Sequence, residues 1–221
     1  MIIAVDGPAG SGKSSVSREA ARRMGIRYID SGAVYRAVTL HIIRKFGRAG
    51  ENVDYPTELN DIAVTQRFNA DGSCSTALNG VDVSDQVRDE AIARNIGVVS
   101  DSPAVRAFVN TLLRQWAGEG SVIMDGRDIG SVVFPDADLK IYLYASVAVR
   151  SSRRAMEYRG MGKTVDVNEI KKQIILRDRE DATRPSGRLL RTSDAHYIDT
   201  STLSKEEVIT AIVELVSRTR P

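Results

Sequence analysis

Short apolar runs alternate along this chain with longer segments of helical period. Ile2–Val5 is an apolar run ahead of a glycine-rich turn and reads as a buried strand. Lys13–Met24 follows as a helix, with Val16, Ala20, Ala21 and Met24 on one apolar face. Tyr28–Asp30 is a second short strand. Ala33–Phe46 reads as a helix with Val34, Ala37, Val38, His41 and Ile42 on one side, ended by Gly47 and Gly50. Residues 51–86 change character. Polar residues there interleave with apolar ones, and Asp71-Gly72 and Asn79-Gly80 are hairpin signals, so a small antiparallel insert is expected from about Val64 to Val83.

Helical patterns resume over Val87–Val99. Pro103 fits the first turn of another helix that runs to Ala117 and stops at Gly118 and Gly120. Val122–Asp125, Leu139–Tyr144 and His196–Asp199 are three further strands. Val147–Tyr158 and Val167–Asp181 are helices around a glycine-bearing loop at 160–163. Ser204-Lys205-Glu206-Glu207 opens the last helix with a capping box. Short apolar strands alternating with helices predict an α/β fold, a parallel sheet covered on both faces. No internal repeat or long linker divides the chain, so one domain is expected over residues 1–221.

Composition narrows the function classes. The net charge is +2, too small for nucleic-acid binding by bulk charge. No apolar run approaches the ~18 residues of a membrane span, and Met1–Asp6 carries no basic leader. Cys74 is the single cysteine, which excludes an intrachain disulfide and fits a reducing cytoplasm. No long apolar stripe is left over, so a monomer is expected. Of the 31 basic residues 24 are Arg, whose planar fork grips phosphate at two points where Lys acts as a point charge.

Gly7-Pro8-Ala9-Gly10-Ser11-Gly12-Lys13-Ser14 matches G-x-x-x-x-G-K-[ST], with a strand before it and a helix after it. Its glycines let backbone N–H groups converge on an anion at a helix N-terminus. Residues Gly7 to Ser15 are therefore the expected ATP cradle. Lys13 reaches the β- and γ-phosphates and the Ser14 hydroxyl is a ligand for Mg²⁺. The guanine and switch signatures N-K-x-D and D-x-x-G are absent from the sequence, which leaves a small-molecule kinase as the reading.

The acceptor side is read from other strand ends, where ligands of parallel sheets lie. Asp30-Ser31 through Arg36 follows the second strand, with Ser31 as the expected helix cap and Arg36 as a phosphate grip. Asp125-Gly126-Arg127-Asp128 ends the third, with Asp125 placed to position Mg²⁺ through water. Arg150, Arg153, Arg154 and Glu157 share one helical stripe, and Arg177, Asp181 and Arg184 another. Two such helices around a glycine loop suggest a hinged arginine lid that excludes water. No general base stands out. A phosphate acceptor needs none, because its second pKa is about 6 and its oxygen is already anionic near neutral pH. His41, His196, Trp116 and Cys74 read as structural.

Taken together these motifs resemble the cytidylate kinases of the nucleoside monophosphate kinase family. The likeness rests on Asp6-Gly7-Pro8, Asp30-Ser31-Gly32 with Tyr35-Arg36, Asp125-Gly126-Arg127-Asp128 with Gly130 and Val132–Ala137, and the run Arg177-Asp178…Asp181…Arg184. It implies a P-loop three-layer α/β/α fold with five parallel strands. The core would be 1–60, 101–146 and 183–221, the CMP-binding insert about 61–100, and the lid about 147–182. It implies ATP and Mg²⁺ acting on CMP or dCMP. By position, Arg36 and Arg127 would hold the acceptor phosphate, and Arg106 and Asp128 would face the cytosine. Arg177 and Asp181 would lie near ribose and phosphates, while Arg153 and Arg184 would act from the lid with Lys13 in catalysis. The chain departs from the family at Gly97, where a serine near the base is common; Ser100 lies about one turn later. Other small acceptors (UMP, AMP, shikimate) and a regulatory NTP-binding module are the alternatives.

Overall fold

In the computed structural model, residues 1–50, 52–69 and 72–219 are described. The first apolar run is strand β1 (Ile2–Asp6), and its left-handed glycine turn leads into α1 (Lys13–Met24). Then come β2 (Arg27–Asp30), α2 (Ser31–Phe46) and a short α3 (Tyr55–Leu59). The antiparallel insert is β3 (Val64–Phe68), β4 (Cys74–Leu78) and β5 (Val81–Asp82). A 3₁₀ turn at Gln86–Arg88 leads to α4 (Glu90–Asp101) and α5 (Pro103–Ala117), with Pro103 at the helix start. β6 (Val122–Gly126) ends in a π-helical turn at Ile129–Val133. The chain closes with β7 (Leu139–Tyr144), α6 (Val147–Gly160), α7 (Val167–Thr183), β8 (His196–Asp199) and α8 (Lys205–Thr219).

The large sheet has five parallel strands in the order β2-β6-β1-β7-β8. Strand alternation sends Ile3, Val5 and Ile123 to one face, under α1 and α8. Ala4, Val122 and Met124 face the other way, under α2 and α5. Covered on both faces, the central strands β1 and β6 are buried apolar runs, whereas the edge strand β8 is largely exposed. No helix among the described residues is long and apolar enough to cross a membrane.

Most expected elements are present; the helix expected over Val87–Val99 is split into the 3₁₀ turn and α4, which starts at Glu90, and there are three further differences. α2 begins at Ser31, not Ala33. Its cap is Asp30, whose carboxylate accepts from the Ala33 N–H at 2.9 Å, while the Ser31 hydroxyl donates to the Asp125 carbonyl at 2.6 Å. Asp30 reaches the cap because its backbone is extended there, whereas Ser31 is already helical. Helix α3 was not expected; Asp54 caps it and Pro56 sits in its first turn. The two hairpin signals fare differently. Asn79 and Gly80 both have positive φ and turn β4 into β5, while Asp71 of the other signal lies outside the described residues.

Candidate active site

Three carboxylates meet at the carboxyl ends of the central strands because of register. Asp6 pairs beside Gly126, and Asp30 lies opposite Asp125. Asp6 is buried and accepts from the Ile129 and Gly130 N–H groups at 2.9 and 2.7 Å, tying the turn after β6 to β1. Burial pushes its carboxyl up to about 6. Asp125 accepts from the Ser14 hydroxyl at 2.8 Å and from the Tyr28 hydroxyl at 2.6 Å. Burial, then the charge of Asp30, raises the Asp125 carboxyl.

The turn between β1 and α1 wraps as the motif requires. Gly10 and Gly12 have φ of 79° and 94°, and a Cβ on Gly7 would lie 2.0 Å from the Leu143 carbonyl oxygen. Only glycine fits at Gly7. The Lys13 ammonium curls back onto the Pro8 carbonyl at 2.8 Å. Burial lowers its pKa, Arg127 lowers it further, and Asp125, Asp6 and Asp181 oppose the shift. Ser15 closes the loop by donating to the Gly12 carbonyl at 2.9 Å. Ser14 and Asp125 form a hydroxyl–carboxylate pair beside the phosphate cradle. A magnesium ion keeps several waters and needs only one or two such oxygens beside substrate phosphates, so these residues fit it.

Next to Lys13 stands an arginine cluster built from β6, α5 and α7. Arg127 donates to Asp181 at 2.8 Å. Arg184 lies 3.3 Å from Asp181 and 3.2 Å from Asp101. Arg177 is half-buried, with its Nε enclosed and lacking a partner. Burial alone would raise the Asp181 carboxyl, but Arg127, Arg184 and Arg177 together hold it below the usual range. Deeper in, Arg106 and Asp128 form a buried ion pair; Arg106 also donates to the Ser100 carbonyl at 3.2 Å and stands over the Tyr35 ring. Ser100 is buried against this pair, whereas space is open around Gly97.

Arg36 donates to the Val87 carbonyl at 3.2 Å. Burial, then the nearby charge of Arg177, lowers it to about 10, with Arg154 and Arg88 adding to the repulsion. Four guanidinium groups thus crowd one end of the cleft, an arrangement that an anion relieves. A cavity of about 160 Å³, lined by Ser14, Tyr28, Asp30 and Arg88 among others, opens between α1 and the insert.

The structure brings together Lys13, Ser14, Asp125, Arg127, Arg177, Asp181 and Arg184. Arg106 and Asp128 pair beneath them. Arg153 is apart: it donates to Thr200, after β8, at 3.1 and 2.7 Å, beside Gly12. Of the α6 stripe expected to form an arginine lid, Arg150 is buried while Arg153 and Arg154 are half-buried. Sequence reasoning missed Tyr28 behind Asp125, though strand period places it on the same side of β2 as Asp30. It also missed Gln66, whose amide accepts from the Asp30 N–H and donates to the Asp30 carbonyl, docking the insert on the core. Arg88, in the 3₁₀ turn, carried no signal.

A glycine cradle at the end of the central strand, a hydroxyl–carboxylate pair beside it and arginine-bearing helices over it define a P-loop kinase of the small-acceptor class. A family model described as cytidylate kinase matches residues 3–218. The chain belongs to the cytidylate kinase family. It is 42% identical over 221 residues to the cytidylate kinase of Pelotomaculum thermopropionicum, covering 99% of this chain and 96% of that one. The cytidylate kinase of Magnetococcus marinus is also 42% identical, over 97% of this chain and 95% of its own. Among solved structures, an uncharacterised protein of Eubacterium ventriosum superposes with a TM-score of 0.56 at 10% identity, covering 98% of each chain, a likeness of fold alone.

Proposed function

We propose that this chain transfers the γ-phosphoryl group of ATP to CMP or dCMP, giving ADP and CDP or dCDP. The observation that carries the acceptor is the buried Arg106–Asp128 pair beside the arginine cluster. A carboxylate only accepts hydrogen bonds and a guanidinium only donates. Cytosine offers an amine donor at N4, and its N3 and O2 accept. Asp128 would take the amine and Arg106 the ring acceptors. Uracil, with a carbonyl at that place, would set oxygen against the Asp128 carboxylate.

Donor phosphates would lie in the cradle from Gly7 to Ser15, drawing Lys13 off the Pro8 carbonyl. Ser14 directly, and Asp125 through water, would hold Mg²⁺, which would supply charge neutralisation for the transferring phosphoryl group. Tyr28 keeps Asp125 turned toward Ser14. Arg36, Arg127 and Arg177 would hold the acceptor phosphate, with Asp30 and Ser31 shaping the strand end behind it. Asp181 orients Arg127 and Arg184 at once and lies near the ribose. Arg153 would act from the donor side, beside Gly12. The acceptor oxygen is anionic already, so these residues contribute position and charge neutralisation rather than proton abstraction. We place the enzyme in the cytoplasm as a monomer.

A coupled ADP-release assay with MgATP against CMP, dCMP, UMP, AMP and shikimate tests this. Turnover confined to CMP and dCMP is expected. Faster turnover with any other acceptor would refute the assignment of the base pocket.

A further inference from the structure

Arg150 has no part in the scheme above, yet it is only 2% exposed. It sits on the first turn of α6, and every nitrogen of its fork is engaged. Nε donates to the Ala145 carbonyl at 2.8 Å. Nη1 donates to the Ala9 carbonyl at 3.1 Å and to Asp178 at 2.9 Å, and Nη2 donates to Asp178 at 2.6 Å. Its stem packs against Gly10, 3.4 to 3.8 Å from where a Cβ would stand. A fork so fully engaged is not available to phosphate. It joins two things instead. One is the crest of the donor loop, at Ala9 and Gly10. The other is α7, at Asp178, one residue after Arg177 and three before Asp181.

We propose that the Arg150–Asp178 pair is a strut through which donor occupancy of the P-loop positions α7, and with it the acceptor-side residues Arg177, Asp181 and Arg184. The identity of the two ligands rests on the proposed function; the strut itself is chain geometry. Phosphates seated in the loop fix the Ala9 peptide, and the Ala9 carbonyl is one of the groups that orient the Arg150 fork. Only one fork geometry serves Ala9, Ala145 and both Asp178 oxygens together. Ordering the loop therefore favours one placement of α7, a coupling between sites that acts in both directions. Arg150 and Asp178 are positioning residues, not catalytic ones.

The test is amide hydrogen exchange on the full chain, with and without a magnesium complex of a non-hydrolysable ATP analogue and with no acceptor present. In the wild type the analogue slows exchange at the start of α1 and, about fivefold or more, along α7, the lower end of ordinary coupling strengths. In Asp178→Asn the start of α1 still slows, while the α7 response falls below about twofold; Asp178→Glu restores it. Arg150→Lys, which keeps the charge and loses the fork, behaves like Asp178→Asn and replaces it if that variant does not fold. A purely structural pair would lower Tm and leave the α7 response intact. Equal slowing of α7 in Asp178→Asn, or none in the wild type, overturns the strut. An acceptor other than CMP in the turnover assay would overturn the base assignment and leave the exchange result standing.

Discussion

Asp128→Asn tests the proposed base pocket. The substitution keeps the shape and one acceptor oxygen but removes the charge that pairs with Arg106. Both side chains are buried, and Arg106 is left with the Ser100 carbonyl and the face of Tyr35. Removing one partner of a buried pair costs about 3–5 kcal/mol. The amide oxygen recovers about 1 kcal/mol as a hydrogen-bond acceptor. A net loss of about 2–4 kcal/mol lowers Tm by on the order of 10 °C in a chain of this size. The same energy lost from acceptor binding lowers kcat/KM for CMP by about 10²-fold. UMP should lose less, because the new amide can donate to a carbonyl where the carboxylate could only repel it. The assay is coupled ADP release with CMP and UMP, at a temperature well below the Tm of the variant. The double variant Arg106→Met/Asp128→Leu checks the partition. It should regain much of the stability, since apolar replacements of a buried pair are often neutral, and none of the preference for CMP. An unchanged CMP-to-UMP ratio in Asp128→Asn would refute the assignment of this pair to the base.

Two further outcomes follow from the same geometry. Lys13→Ala removes the cation that the proposed mechanism sets on the transferring group and should cut kcat by about 10²–10³, as loss of one preorganised donor does; full activity would remove Lys13 from the mechanism. Asp181 is held below its ordinary value of 3.8 by Arg127, Arg184 and Arg177 against the effect of burial. A depressed carboxylate stabilises the fold above its unfolded pKa and loses that effect as pH falls through the folded value. Urea midpoints should therefore show wild type ahead of Asp181→Asn at neutral pH, with the gap closing below pH 3.8; a gap independent of pH would contradict the ion-pair account.

The elements and the donor loop were legible because each is encoded within a few consecutive residues. Helical spacing, two-residue strand alternation and the Asn79-Gly80 turn need no distant partner. The P-loop glycines and Lys13 likewise form their cradle within one turn between β1 and α1. Ser31 misled for the opposite reason: Asp30 and Ser31 are both good caps, and only the extended backbone at Asp30 decides between them.

What the sequence alone determined, then, was the α/β alternation, the insert, the cradle and the stock of arginines. Tertiary structure decided which charges meet. Ser14 and Asp125 are 111 residues apart, Arg127 and Asp181 54, and Arg150 and Asp178 28. Each pair meets because parallel register and the packing of α6 on α7 bring distant strand and helix ends to one edge of the sheet. Arg150 and Arg153 stand in the same helical stripe with the same chemistry. One is locked between the donor loop and α7 and the other bonds the turn after β8. The identity of the residue cannot tell them apart, because the difference lies in the neighbours that folding supplies.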